Sequence, residues 1–203
     1  MSNYAYYVNG AFVDADEAGV SFHDLGFVRG YGVFDFLRTY GRAPFRLRPH
    51  LERLQRSAAA IDLPCPWSTD DLERIVNETL ERSPGVVDVS IRVVVTGGYS
   101  AGFLMPGDAP SLYVLIAPMG SADPRLFAEG ASLVTVDYAR FLPSVKSLNY
   151  ITAIRALKRA RAAKAVEALY RTPDGMLTEC TTSNFFVFRD GKLITAQEDV
   201  LDG

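Results

Sequence analysis

The sequence predicts an α+β fold in two parts, on three observations. Strand-like runs and two amphipathic helices share the first half of the chain. A cluster of Gly, Pro and Ser, Pro118-Met-Gly-Ser-Ala-Asp-Pro124, then interrupts the pattern. A strand, a helix and four short strands follow it. The parts are a small N-terminal domain at 1–117, a linker at 118–124 and a second domain starting at 125 and running to 203.

Each element has a local reason. Residues 4–13 alternate around Asn9-Gly10, the sequence of a tight two-residue hairpin turn. Val33 to Tyr40 reads as a strand, Gly41 to Pro44 as a turn, and Phe45 to Arg48 as the partner strand. A helix is predicted over 49–61, with Leu51, Leu54, Ala58 and Ile61 on one face. Ser68-Thr-Asp-Asp71 is a helix start, followed by an apolar stripe of Leu72, Ile75, Val76 and Leu80. Strands are predicted at 87–96 and 111–117. Beyond the linker come a strand at 131–138, an irregular stretch, and a helix at 151–164. Strands at 166–171, 176–179, 184–189 and 192–195 complete the pattern, with turns at Asp174-Gly175 and Asp190-Gly191.

With 203 residues, 48% of them hydrophobic, the chain can bury a substantial core. Its net charge of −3 and scattered arginines argue against a nucleic-acid footprint or a membrane-surface patch. No stretch reaches about 18 apolar residues, and the N-terminus lacks the basic-then-apolar order of a signal peptide. A cytoplasmic protein is expected. Cys65 and Cys180 fit neither a disulfide framework nor a metal site, so no metal is expected and Cys180 reads as a packed thiol.

The chemistry centres on Lys146 and on Glu179, 33 residues later. The chain has four lysines, none before position 146. Lys158 and Lys164 read as the outer face of a helix, and Lys192 follows a hairpin turn. Lys146 instead sits in an apolar setting with no carboxylate within six residues. Such a setting moves a lysine from its ordinary value near ~10.4 toward a usable nucleophile. The bland alternative is a snorkelling surface lysine. Glu179 lies on a predicted strand with few partners in view, a salt bridge to Arg171 being its bland reading. A covalent amine and a lone carboxylate are the two groups a pyridoxal phosphate enzyme requires.

The runs His50-Leu-Glu-Arg53, Val145-Lys-Ser-Leu-Asn-Tyr150 and Thr178-Glu-Cys-Thr-Thr-Ser-Asn-Phe185, with the earlier Gly30-Tyr-Gly-Val-Phe-Asp35, resemble the class IV aminotransferases along the whole chain. These are fold-type IV pyridoxal phosphate enzymes and include branched-chain aminotransferases, D-amino acid transaminases and aminodeoxychorismate lyases. The resemblance implies the two-domain architecture of that fold type. It implies pyridoxal 5′-phosphate as cofactor and Lys146 as the catalytic residue that bonds to it and carries the proton. Glu179 resembles the partner of the ring nitrogen, Arg53 the phosphate-binding arginine, and Tyr150 a tyrosine near the phenolic oxygen. Thr182 and Asn184 would lie at or near the cofactor. Read alone, Arg53 could equally be a helix-face charge paired with Glu52 or Asp62.

The implied reaction is amino transfer between an α-amino acid and a 2-keto acid, with a homodimer expected from the resemblance alone. Arg29, Arg38 and Arg92 are candidates for the substrate carboxylate, with Arg29 the first choice for a D-amino acid. D-amino acid transaminases often carry an Arg-x-His trap where this chain has Ala101-Gly-Phe-Leu104. Phe34, Phe36, Tyr99 and Phe103 would suit a branched-chain or aromatic side chain. A lyase acting on aminodeoxychorismate is the alternative within the cofactor class, and a non-catalytic dimerising module the alternative outside it. Members of the family continue past Asp202-Gly203 into a helix start whose N–H groups meet the cofactor phosphate. The second domain is therefore expected to be incomplete relative to the family, with weak cofactor binding by residues 1–203 alone.

Overall fold

A computed structural model describes residues 4–85 and 88–201. They form two compact units, Met1–Gly120 with Val145–Leu148, and Ser121–Ser144 with Asn149–Gly203.

The first unit opens with a hairpin, β1 (Ala5–Val8) and β2 (Ala11–Asp14), turned by Asn9 and Gly10 at φ 46° and 97°. Both residues lie in the left-handed region that Asn and Gly tolerate best. A short helix α1 (Leu25–Arg29) is capped by Asp24, whose side chain accepts from the Gly26 N–H. Next come β3 (Gly32–Tyr40) and the two-residue β4 (Ala43–Pro44). The expected partner strand at Phe45–Arg48 does not form. Arg46 takes a left-handed φ of 51°, which ends the strand, and helix α2 (Leu47–Ala59) starts immediately after it.

Helix α3 (Thr69–Glu81) begins on a capping box. Ser68 accepts from the Asp71 N–H, and the Asp71 carboxylate accepts from the Ser68 N–H. Strands β5 (Val89–Thr96) and β6 (Ser111–Pro118) complete an antiparallel sheet of order β2-β1-β6-β5-β3-β4. The predicted start of β5 at residue 87 lies outside the described residues. The apolar stripes of α2 and α3 supply Leu51, Leu54, Leu72 and Val76 to a core shared with Leu37, Ile91, Val93 and Ile116. Ile61 falls past the end of α2 and packs on the margin of this core.

The second unit has a short helix α4 (Arg125–Ala128), then β7 (Leu133–Asp137), α5 (Ile151–Ala162), β8 (Glu167–Arg171) and β9 (Leu177–Cys180). β8 pairs parallel with β7 and antiparallel with β9. A separate hairpin, β10 (Phe186–Arg189) and β11 (Lys192–Thr195), turns at Asp190-Gly191. The core of this unit is small: Ala156, Ala160, Ala165 and Ala168 pack with Val136 and Tyr170.

Candidate active site

Lys146 belongs structurally to the first unit, although its place in the sequence put it at the head of the second part. The reason is a backbone pairing. Phe34 N–H donates to the Lys146 carbonyl at 2.9 Å, Leu148 N–H to the Gly32 carbonyl at 3.0 Å, and Val33 bridges Ser147. The segment thus adds to the free edge of β3. Gly32 permits this, because a Cβ there would lie 2.7 Å from Leu148 Cδ1 and 2.8 Å from the Val95 carbonyl oxygen. Lys146 N–H donates to Ser57 Oγ on α2 at 3.2 Å, and the neighbouring Val145 is buried. Lys146 is half-buried, and its Nζ stands 5.1 Å from the centre of the Phe34 ring. The Arg92 guanidinium lies 5.7 Å from the same ring. Lys158, Lys164 and Lys192 are exposed, as solvated charges should be.

Arg53 projects from α2 onto Asp35 of β3. Its Nε and Nη2 donate to the two carboxylate oxygens at 2.8 and 2.9 Å, and His50 Nδ1 meets Asp35 Oδ1 at 2.8 Å. The spacing of His50 and Arg53 puts both on one face of the helix. Burial pushes the fully buried Asp35 carboxyl upward, but the hydrogen bonds from Arg53 and His50 outweigh it and hold it below the usual carboxylate range. Asp35 on the facing strand is thus an ion partner of Arg53. The sequence reading quoted Asp35 without giving it a role. Its place as the only acid in an apolar strand was the available signal.

The other arginines have defined surroundings. Arg29 Nε donates to the Phe103 carbonyl at 2.8 Å. Arg38 lies 4.3 Å over the Tyr40 ring and 3.9 Å from Asp88. Arg92 lies on the solvent side of β5 beside Phe34 and Phe36. Tyr99 is exposed and stacks on His23, as does Phe103, with ring centres 5.0 and 4.5 Å away.

In the second unit Glu179 lies on β9, 5% exposed, and pairs with Arg140 from the irregular segment after β7. Arg171 pairs with Asp137 instead. Leu201 N–H also approaches Glu179, 3.3 Å from Oε1 and 3.4 Å from Oε2. Glu179 and Asn184 line a cavity of about 300 Å³ with Thr178, Phe185 and Leu201. The Thr182 hydroxyl is engaged with protein: it donates to Glu167 Oε2 at 2.6 Å, the Thr182 N–H reaches the same oxygen at 3.2 Å, and Thr181 donates to Oε1. Tyr150 stands at the N-terminus of α5, half-buried. Burial pushes the Tyr170 phenol upward, against the pull of the Arg140 charge. Burial likewise raises the Cys180 thiol, as a packed cysteine requires. Sequence reasoning missed Arg140 and Glu167, whose partners are visible only once the strands are side by side.

These side chains suit pyridoxal 5′-phosphate. In the second unit a buried carboxylate on a cavity of mixed polar and apolar lining fits an N–H-bearing aromatic ring, and in the first unit an amine beside an aromatic face fits an aldehyde. Among the described residues no cluster of His, Cys, Asp and Glu could hold a metal ion, and no helix is long and apolar enough to cross a membrane.

Comparisons with known proteins agree with this chemistry. The family model "Amino-transferase class IV" matches residues 32–203. A putative branched-chain-amino-acid aminotransferase of Methanocaldococcus jannaschii is 35% identical over 93% of the chain and 67% of its own length. A D-alanine aminotransferase of Listeria monocytogenes is 32% identical over 96% of the chain and 68% of its own length. The crystal structure of a branched-chain aminotransferase from Thermoproteus uzoniensis superposes with a TM-score of 0.84 at 29% identity, covering 98% of this chain and 71% of that one. A second branched-chain amino acid aminotransferase, that of T.th., in its crystal structure with pyridoxamine 5′-phosphate, gives a TM-score of 0.88 at 28% identity, over 98% and 70% of the two chains. The chain therefore belongs to the class IV aminotransferases, enzymes that use pyridoxal 5′-phosphate.

Proposed function

We propose that the chain transfers an amino group between an apolar α-amino acid and a 2-keto acid, with Lys146 as the catalytic residue. The observation that carries the reading is the placement of Lys146. Backbone bonds to β3 and α2 fix its main chain, while its amine stands beside the Phe34 ring. An exposed snorkelling lysine has no need of such an anchor. Glu179 would hold the ring nitrogen, with Asn184 beside it in the same cavity. Arg53, held at its Nε–Nη2 edge by Asp35, would meet the phosphate. Tyr150 would serve the phenolic oxygen, and Thr182 would contribute through the turn that Glu167 holds.

When bound, pyridoxal 5′-phosphate supplies an aldehyde that bonds to amines and a ring that withdraws electrons from the substrate carbon. The rest is done by the chain. The Lys146 amine takes the α-proton of the donor amino acid and returns a proton in the reverse half of the cycle. The Asp35 carboxylate fixes the plane of the Arg53 guanidinium and keeps it pointed along one direction.

Of the three arginines, Arg92 suits the substrate carboxylate best, because it shares the Phe34 ring with Lys146. Arg29 and Arg38 are occupied by a loop carbonyl and by Tyr40 and Asp88. Phe34 and Tyr99 supply apolar surface for a branched or aromatic side chain. A homodimer, which rests on the family resemblance, and a cytoplasmic location, which rests on the sequence pattern, are part of the same reading.

The test is borohydride reduction after addition of pyridoxal 5′-phosphate. The covalent label is expected on Lys146 alone, and Lys146→Ala should lose both label and turnover. A donor panel with both enantiomers of leucine, phenylalanine and alanine would follow. Labelling elsewhere with full turnover in Lys146→Ala would overturn the proposal.

A further inference from the structure

We propose that Arg140 is a positioning residue, which holds the Glu179 carboxylate in the orientation from which it meets the cofactor's ring nitrogen. This rests on the reading of Glu179 given above. Arg140 has no place in a regular element. The Tyr138 N–H still bonds to the Arg171 carbonyl at 2.9 Å, but the chain then leaves the sheet. Strands β7 and β9 flank β8, which puts them about 9–10 Å apart at ordinary strand spacing. A long side chain departing from the end of β7 is what can cross that gap, and the Arg140 guanidinium does so.

The pair is well shielded, with side-chain exposures of 19% for Arg140 and 7% for Glu179. A buried carboxylate without a compensating charge either turns toward water or takes up a proton. Both would disable it as the partner of a protonated ring nitrogen. A carboxylate has about four lone-pair sites. Arg140 and the Leu201 N–H engage part of that capacity and leave room for one more N–H donor from the cavity. The guanidinium is planar and rigid, so it fixes the plane of the carboxylate, which a lysine ammonium would do less well.

The experiment compares Arg140→Met and Arg140→Lys in the holoenzyme, each alone and combined with Glu179→Gln. Arg140→Met is expected to lower kcat by ~30-fold while leaving the amino-donor KM within ~3-fold. It should also move the pH midpoint of the visible absorption band, which a purely structural role would leave in place. Arg140→Lys, which keeps the charge, should recover kcat to within ~5-fold of the parent. On the Glu179→Gln background the Arg140→Met loss should shrink to less than ~3-fold, because the residue acts through Glu179. An unchanged band midpoint, or the same fold-loss on both backgrounds, overturns the proposal. Should Arg140→Met fail to fold, Arg140→Gln, which stays polar but loses the charge, takes its place in the same double comparison. If Glu179→Gln alone leaves kcat and spectrum unaltered, the reading of Glu179 itself has failed, which is a separate result.

Discussion

Asp35 is fully buried and holds Arg53 by two hydrogen bonds and His50 by a third. An asparagine has the same shape but must turn an NH₂ group toward one of these donors. It also leaves the Arg53 charge without its counter-charge. Breaking one partner of a buried pair costs ~3 kcal/mol or more, so Asp35→Asn should lose about that much in urea denaturation at pH 7. The acid limb of stability gives a second, independent reading. The folded-state value of Asp35 lies below its ordinary one, so the unfolded chain binds the proton more readily. Its contribution is therefore fully present above the ordinary carboxylate value near ~3.9 and is lost as pH falls below it through the depressed folded value. The parent should lose stability more steeply than Asp35→Asn in that window. Parallel acid limbs for the two proteins would show that Asp35 is not held as a charged partner.

At the scale of elements, the edge of β3 decides where Lys146 goes, and Gly32 decides whether that edge is open. Gly32→Ala would bring a methyl group to within 3 Å of both Leu148 Cδ1 and a backbone oxygen of β5, so the Lys146 segment must shift. Overpacking of this kind costs ~1–3 kcal/mol, and a shift of about an ångström at a reacting group costs ~100-fold in rate. Gly32→Ala is expected to lower kcat by a larger factor than the stability loss explains, measured by turnover at a temperature where the variant is fully folded. Normal turnover would show that the β3 pairing does not position Lys146. This pairing also marks the limit of what the sequence makes legible. Elements fixed by neighbouring residues were readable: the Asn9-Gly10 turn, the Ser68/Asp71 box and the stripe of α3. One failure among them, the strand expected at Phe45–Arg48, came from a left-handed Arg46 that no propensity rule would assign, and the short helices α1 and α4 went unread. Lys146 and Glu179 stood out by residue type and setting, and Arg53 by the family resemblance. Their partners Ser57, Arg140 and Asp35 did not, because each is brought in by pairings between segments remote in sequence.

Across the whole molecule the two units differ in what their cores contain. The first is filled with Leu, Ile and Val, chiefly from β3, β5, β6 and two helices. The second relies on four alanines around Val136 and Tyr170. Burying a leucine side chain contributes ~1.5–3 kcal/mol, whereas an alanine methyl contributes a fraction of that, so local stability should be unequally distributed. Native-state hydrogen exchange is expected to show β5 and β6 protected at least ~10-fold more than β7, β8 and α5 when no cofactor is present. Adding pyridoxal 5′-phosphate supplies the discriminating comparison. A ligand at a hundred times its Kd stabilises the form that binds it by ~2.7 kcal/mol, or ~100-fold in protection. The gain should be concentrated in β9, which carries Glu179, and in the Lys146 segment beside β3. Amides of β1 and β2, at the far end of their sheet from the β3 edge that holds the Lys146 segment, should change little. A uniform rise over every strand would mean only global stabilisation, and a rise that spared β9 would remove Glu179 from the cofactor site.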